Sequence, residues 1–109
     1  MKTIAIDFDG VIHKYSKGWC GGEIYDKPVD GAVEAYCKLI DAGFKVVIFT
    51  TRTDFKAVKD WMHKHFDFEK HIGHFYEPEV TNIKPIASVY IDDRGLRFTN
   101  WTDVLKYFI

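Results

Sequence analysis

Three short apolar runs, each followed by polar side chains, place the strongest constraint on how this chain folds. They occupy residues 3–8, 45–49 and 89–91. None of them alternates strictly between apolar and polar residues, and this pattern is typical of strands buried on both faces of a parallel sheet. Because segments with helical spacing lie between the runs, the sequence predicts an α/β fold with an open, mostly parallel sheet.

Two helices are predicted between these strands. The first is expected to use Asp30 as its N-cap and to run to about Ala42, with Gly43 as the stop. The second follows the second strand and is expected to be capped by Thr53 or Asp54. Both carry apolar residues at the spacing of an amphipathic helix, so each should bury one face.

Three further segments complete the predicted order of elements. Residues 75–77 are expected to form a short third strand, and Thr102 is expected to start a short terminal helix. Residues 11–27, here called the flap, contain three glycines and three aromatic residues of the Tyr and Trp types but no helical stripe. We expect this segment to be a glycine-rich hairpin or flap lying over the strand ends.

Composition limits the class of protein. With 109 residues, 47% of them hydrophobic, residues 1–109 are expected to form one domain with its own core. The formal net charge of −1 provides no general attraction to nucleic acid or to a membrane surface. No stretch approaches the roughly 20 apolar residues of a membrane span, and the acidic Asp7 comes too early for a signal peptide. Since Cys20 and Cys37 do not form a disulfide framework, we expect free thiols and a cytoplasmic protein.

Polar side chains end the predicted strands, and together they suit phosphoryl transfer. Asp7 and Asp9 lie at the end of the first predicted strand, Thr50 follows the second, and Asp92 and Asp93 follow the last. The carboxyl ends of parallel strands share one edge of the sheet, where ligands bind in open α/β folds. We expect Asp7 to attack phosphorus and form an aspartyl-phosphate. Asp9 is expected to protonate the leaving oxygen and then to activate water.

A divalent cation is expected at the same edge, because the carboxylate of Asp7 and a phosphate repel each other. The predicted metal residues are Asp7, Asp92 and Asp93, with Asp9 contributing through a backbone carbonyl near it. Neighbours in a strand point in opposite directions, so one of Asp92 and Asp93 is expected to bind the ion directly and the other to support it. Mg²⁺ fits best, since one or two carboxylates, substrate phosphate and water are its usual ligands.

Lys84 and Thr50 are the residues expected to contact the phosphate. Lys84 lies between the last two apolar runs and offers a point charge, while the Thr50 hydroxyl and nearby backbone N–H groups can donate hydrogen bonds. An ordinary solvated lysine and an ordinary strand-end threonine are the competing interpretations. Their positions in the ordered set favour the functional one.

The ordered set of motifs resembles the haloacid dehalogenase-like (HAD) superfamily of phosphatases. Its four signature motifs have counterparts in order and over nearly the whole chain: Asp7-Phe8-Asp9-Gly10, Thr50, Lys84 and Asp92-Asp93. The resemblance implies a Rossmann-like, three-layer domain in which the first strand is central and the fourth lies beside it. It also implies a Mg²⁺-dependent phosphatase in which these residues have the roles given above.

The chain departs from many members of that superfamily by its length. Neither the segment after Asp9 nor the one between Thr50 and Lys84 has room for a cap domain, and Val11 stands where many relatives carry threonine. Resemblance to members without a cap implies an enzyme that takes large or exposed phosphates, or one that borrows a lid from a neighbouring subunit. A homo-oligomer that supplies a lid is therefore one implied arrangement.

Four other residues are candidates for substrate contact: Trp19, Thr51, Arg52 and Arg94. The two arginines flank the expected site and can bind a second anionic group, although surface arginines are common. Trp19 lies in the flap, where it can stack on a base or another planar group, or can pack down on the sheet.

These inferences together predict a phosphomonoester hydrolase that works through an aspartyl-phosphate on Asp7. The expected substrate is a nucleotide or a nucleic-acid-end phosphate, and the alternative is the phosphate of a small sugar or metabolite. Two other classes of protein stay open. One is a phosphoacceptor signalling domain, in which Asp9 would have no role, and the other is a binding or scaffold domain without activity.

Overall fold

A parallel sheet of five strands in the order β3-β2-β1-β4-β5 forms the centre of the protein. It is seen in a computed structural model that describes residues 2–87, 89–92 and 96–109, with residues 96 and 97 described by their backbone alone. The strands are β1 (Thr3–Asp7), β2 (Lys45–Phe49), β3 (Glu79–Thr81), β4 (Val89–Asp92) and β5 (Leu96–Arg97). The helices are α1 (Ala32–Asp41), α2 (Phe55–His65), α3 (Phe68–Ile72) and α4 (Trp101–Leu105). The predicted α/β class is confirmed, and the architecture is consistent with a Rossmann-like fold.

The register of β1 with its two neighbours aligns the carboxyl ends of three strands. Ile6 pairs with Ile48 of β2 on one side and with Ile91 of β4 on the other, and all three side chains are fully buried. β1 is therefore central and β4 lies beside it, as the family resemblance implies. Burial on both faces explains why these strands lack strict alternation.

Helix α1 begins differently from the prediction. Its N-cap is Gly31, with φ of 82°, and no side chain caps the helix, so the prediction that Asp30 is the cap was wrong. The left-handed backbone at Gly31 makes the turn into the helix, a conformation that glycine adopts at little cost. A Cβ at this position would also lie 3.4 Å from Cβ of Trp101. The predicted end is confirmed, since Ala42 is the C-cap and Gly43 follows with φ of 93°.

Helix α2 has the expected side-chain cap, and the next strand is displaced. Oδ1 of Asp54 accepts a hydrogen bond from the backbone N–H of Ala57 at 3.0 Å. The third strand is β3 at Glu79–Thr81, so the prediction of a strand at 75–77 was wrong. Val80 pairs with Ile48 of β2, whereas Phe75 is exposed and lies outside the sheet. The short helix α3 was not predicted at all.

The terminal helix α4 begins at Trp101, one residue before the predicted Thr102. The side chain of Asn100 accepts a hydrogen bond from the backbone N–H of Asp103 at 2.9 Å and so caps it. No helix among the residues that the structure describes combines the length and the apolar character that crossing a membrane requires.

The flap has no helix or strand of its own, so it is not the hairpin that was one of the two predicted forms, and the core holds it in place. Nε1 of Trp61 donates a hydrogen bond to the carbonyl of Asp26, and Nε1 of Trp101 donates one to the carbonyl of Val11, both at 3.0 Å. Both indole rings are buried. Two core side chains therefore fasten the two ends of this glycine-rich segment.

Candidate active site

Three of the predicted site residues lie at the carboxyl ends of adjacent strands. Asp7 is the last residue of β1, Thr50 directly follows β2 and Asp92 is the last residue of β4. Asp7 and Asp92 each come one position after the paired residues Ile6 and Ile91. The sheet register therefore brings the two carboxylates to neighbouring positions at one edge, as the sequence predicts.

A cavity of about 270 Å³, here called the Asp7 cavity, opens at this edge. Its polar walls are formed by Asp7, Asp9, Thr50 and Thr51, and the flap contributes Tyr15. The backbone N–H of Thr50 donates to the carbonyl of Thr81 at 2.9 Å, which ties the second wall to β3. The candidate nucleophile thus faces the same space as two hydroxyl groups that can donate to phosphate oxygens.

Asp9 is fixed by two side chains from other parts of the site. Nε of Arg52 lies 2.9 Å from Oδ2 and Nη2 lies 3.0 Å from Oδ1, so the guanidinium binds the carboxylate in bidentate fashion. Nδ1 of His13 lies 2.8 Å from Oδ1. The Arg52 and His13 side chains are 5% and 0% exposed, against 21% for Asp9. Asp9 therefore reaches the cavity in one defined orientation.

The tautomer of His13 follows from its two hydrogen bonds. The backbone N–H of Asp26 points at Nε2 of His13 from 3.1 Å, and a backbone N–H can only donate. Nε2 is therefore the acceptor, and the ring proton lies on Nδ1, where it is donated to Asp9. The ring is held between aromatic neighbours, with centroids 5.5 Å from Phe8 and 5.3 Å from Tyr25.

His13 is the site residue that sequence reasoning missed. It lies in the flap, where no periodic pattern marks a buried position, and it is nevertheless fully buried. The interpretation of Arg52 was also incomplete, because its guanidinium pairs with Asp9 in addition to flanking the site. The single signal that could have found either residue is the motif Asp7-Phe8-Asp9 itself, since a half-buried carboxylate requires donors around it.

Arg52 also connects the site to the flap. Nη1 donates to the carbonyl of Gly22 at 2.8 Å, and the centre of the guanidinium lies 5.2 Å from the ring centroid of Trp19. The centre of the guanidinium also lies 6.0 Å from the ring centroid of Tyr15. Trp19 itself is 63% exposed, so it does not pack down on the sheet.

Lys84 is not one of the described residues that line the Asp7 cavity. Its side chain is exposed, with Nζ 4.6 Å from the ring centroid of Tyr90. The hydroxyl of Tyr90 donates to the carbonyl of Pro85 and so holds that ring beside the lysine. The predicted phosphate contact of Lys84 stays a prediction. Asp93 and Arg94 lie outside the described residues.

The donor set at the strand ends suits a hard divalent cation. Asp7 and Asp92 provide carboxylate oxygens at neighbouring positions, and Mg²⁺ needs one or two such ligands besides phosphate and water. Within residues 2–87, 89–92 and 96–109, no group of three or more His, Cys, Asp or Glu side chains is arranged to hold a metal ion. The side chain of Asp9 is bound to Arg52 and His13, and the metal contact expected from the backbone near Asp9 stays a prediction.

Comparisons of the chain with protein-family models, with curated proteins and with solved structures found no match.

Proposed function

We propose that this protein is a Mg²⁺-dependent phosphomonoester hydrolase that forms an aspartyl-phosphate on Asp7, on a HAD-like, three-layer domain without a cap. One observation carries the proposal. Asp7 shares a cavity with the hydroxyl-bearing Thr50 and Thr51 at the carboxyl edge of a parallel sheet, with Asp92 at the neighbouring strand end. Carboxylate nucleophile, hydroxyl donors and acidic metal ligands are the groups that this chemistry needs.

In the first half of the reaction, a carboxylate oxygen of Asp7 attacks phosphorus as the bond from phosphorus to the leaving oxygen breaks. Asp9 carries a proton at the start of this step and gives it to the leaving oxygen, so the product departs as an alcohol. In the second half, Asp9 takes a proton from water as that water attacks phosphorus. The bond between phosphorus and Asp7 then breaks, which restores both carboxyl groups and releases inorganic phosphate.

The protein contributes mainly position and charge to this sequence of steps. Thr50 and Thr51 donate to the oxygens of the phosphoryl group, and Arg52 and His13 keep Asp9 oriented toward the cavity. Asp7 and Asp92 would hold Mg²⁺, whose positive charge would offset the repulsion between the nucleophile and the phosphate.

The test is phosphate release from a generic aryl phosphate by the purified protein, with Mg²⁺ and with excess chelator. We expect activity only with Mg²⁺. Asp7→Asn should abolish turnover while the circular dichroism spectrum is unchanged, because the amide cannot act as the nucleophile. Asp41→Asn, at the exposed end of α1, is the matched control and should be fully active. Undiminished turnover by Asp7→Asn would remove the nucleophile assignment.

A non-enzymatic phosphoacceptor domain is the second candidate, and one observation favours it. Both oxygens of Asp9 already accept hydrogen bonds from Arg52 and His13, as in a carboxylate with a structural role. The lifetime of the phosphorylated protein distinguishes the two candidates. Acetyl phosphate should label Asp7 in both, but a hydrolase discharges the label within its turnover time, whereas Asp9→Asn should accumulate it as added mass.

A further inference from the structure

A second cavity lies near the Asp7 cavity and, apart from Arg52, is lined by residues that the proposed chemistry does not use. Its volume is about 230 Å³. Trp19, Ile24 and Ala57 form its apolar walls, and Thr53 and Asp54 provide polar groups at one side. We call it the Trp19 cavity. Apolar walls with a few polar groups are the usual lining of a small-molecule site.

Arg52 links the two cavities. Its side chain lines the Trp19 cavity, while its guanidinium binds the Asp9 carboxylate that lines the Asp7 cavity. The backbone joins them as well, because the N–H of Arg52 donates to Oγ1 of Thr50 at 3.1 Å. The two cavities therefore lie on either side of one residue, which contacts two lining residues of the Asp7 cavity and itself lines the Trp19 cavity.

Trp19 presents an aromatic surface to that space. The ring is 63% exposed although it is the largest apolar side chain of the flap. It is nevertheless held in place, since the Arg52 guanidinium lies 5.2 Å from the ring centroid, and a Cβ at Gly22 would lie 3.7 Å from ring atoms Cη2 and Cζ2. A positioned, exposed indole is suited to stacking on a planar ring.

The polar side of the Trp19 cavity is suited to hydrogen-bonding the edge of such a ring. Thr53 has a hydroxyl group that can donate or accept. Asp54 uses Oδ1 to cap α2, and its carboxylate accepts donors such as an exocyclic amine. A nucleobase combines a planar face with donors and acceptors on its edge, and a sugar or a plain aliphatic group does not.

We propose that the Trp19 cavity binds a nucleobase, so that the substrates of this protein are nucleoside monophosphates or the terminal nucleotides of a nucleic acid. This inference rests on the proposed function for the phosphate half of the substrate. Base binding can be measured without catalysis, which keeps the two proposals separable.

The first experiment measures binding of nucleosides that carry no phosphate, in the presence of chelator. Titration with adenosine, guanosine, cytidine and uridine should quench tryptophan fluorescence in a saturable way for at least one base. Trp19→Phe should remove that quenching, because Trp61 and Trp101 are only 6% and 2% exposed. Asp7→Asn should keep it. Absence of saturable quenching with all four nucleosides would overturn the proposal.

The second experiment compares two phosphate esters as substrates of Trp19→Ala. For a nucleoside monophosphate we expect KM to rise about 5- to 150-fold, the range of one base–aromatic stack. For glycerol phosphate, which has no ring, the loss of kcat/KM should be much smaller than for the monophosphate, because only the contact of Trp19 with Arg52 is removed. Phe75→Ala is the matched control, because Phe75 is also an exposed aromatic residue (69%) but lines neither cavity. Equal losses for both substrates would overturn the proposal.

The terminal-nucleotide form of the substrate is tested with the same variant. An oligonucleotide with a terminal phosphate should show the same increase in KM as the monophosphate if the end base occupies the Trp19 cavity. Nucleoside binding without any phosphatase activity would contradict the proposed function alone. Phosphatase activity that is indifferent to Trp19 would contradict this inference alone.

Discussion

Arg52 and Asp9 form a bidentate ion pair, with Nε 2.9 Å from Oδ2 and Nη2 3.0 Å from Oδ1, although they are 43 residues apart in sequence. The pair joins the segment after β1 to the segment after β2. These two strands are parallel neighbours, and their register aligns their carboxyl ends. The geometry of the Asp7 cavity therefore depends on a long-range contact between two charged side chains.

Arg52→Lys should lower both stability and activity, because lysine keeps the charge but cannot form the bidentate pair. We expect the free energy of unfolding to fall by about 1–3 kcal/mol, measured by urea denaturation. The kcat should fall about tenfold or more, since Asp9 loses its fixed orientation. Lys56→Ala removes an exposed ion pair with Asp60 and should leave both quantities close to those of the natural sequence. Equal effects of the two substitutions would refute a special role for Arg52.

His13→Ala should destabilise the protein by about 2–4 kcal/mol, because it empties a fully buried position, removes one donor from Asp9 and leaves the backbone N–H of Asp26 without its acceptor. His13→Asn can place an amide N–H where Nδ1 donates, so it should be milder and should keep more of the kcat. Denaturation curves and initial rates of the two variants provide the comparison. If asparagine rescues neither property, the hydrogen bond to Asp9 is not what His13 contributes.

Asp92→Asn should weaken Mg²⁺ binding because it removes one of the two adjacent carboxylates at the strand ends. Saturation with a ligand at 100 times its dissociation constant stabilises a protein by about 2.7 kcal/mol. Mg²⁺ should thus raise the melting temperature of the natural sequence, and the effect should shift to higher Mg²⁺ concentration in the variant. Asp103→Asn, in α4, serves as the control. An unchanged Mg²⁺ response of Asp92→Asn would exclude this residue as a ligand.

Asp26 should make the flap sensitive to acid. Hydrogen bonds from the Ser16 hydroxyl, and from the backbone N–H groups of Ser16 and Lys27, hold the pKa of Asp26 well below its ordinary value. A carboxyl group with a lowered pKa in the folded state stabilises it above the unfolded-state pKa of about 3.9, and that contribution is lost as pH falls below this value.

The free energy of unfolding should therefore fall less steeply with decreasing pH, below about pH 4, in Asp26→Asn than in the natural sequence. Urea denaturation at a series of pH values measures the slope. Asp41→Asn, which replaces an exposed carboxylate of α1, should keep the slope of the natural sequence. If the slope below about pH 4 were the same in Asp26→Asn as in the natural sequence, the contacts of Asp26 with Ser16 would not stabilise the folded state.

The apolar runs suffice to predict β1, β2 and β4, because a strand buried on both faces must be apolar at nearly every position. The edge strand β3 carries little of this signal. It consists of three residues, of which Glu79 is exposed, and its place is set by pairing with β2. Aromatic residues at 75 and 76 imitate a strand locally, but the tertiary pairing overrides that preference.

The cap of α1 and the burial of His13 were beyond the sequence for different reasons. Asp30 is a good capping residue by type, but the left-handed backbone at Gly31 already makes the turn. His13 becomes buried only when the flap folds back over the strand ends, so no local pattern marks it. The carboxylates of the site were easier to predict, since strand ends in a parallel sheet converge whatever the loops do.

Trp61 and Trp101 each donate an indole N–H to a carbonyl at one end of the flap. Releasing either bond would leave a buried donor without a partner, so the flap and the core are expected to lose their order in a single cooperative step. The flap therefore takes up its conformation when the protein folds, before any ligand binds. A preorganised flap of this kind recognises a ligand by rigid complementarity, and binding does not have to overcome a separate ordering entropy.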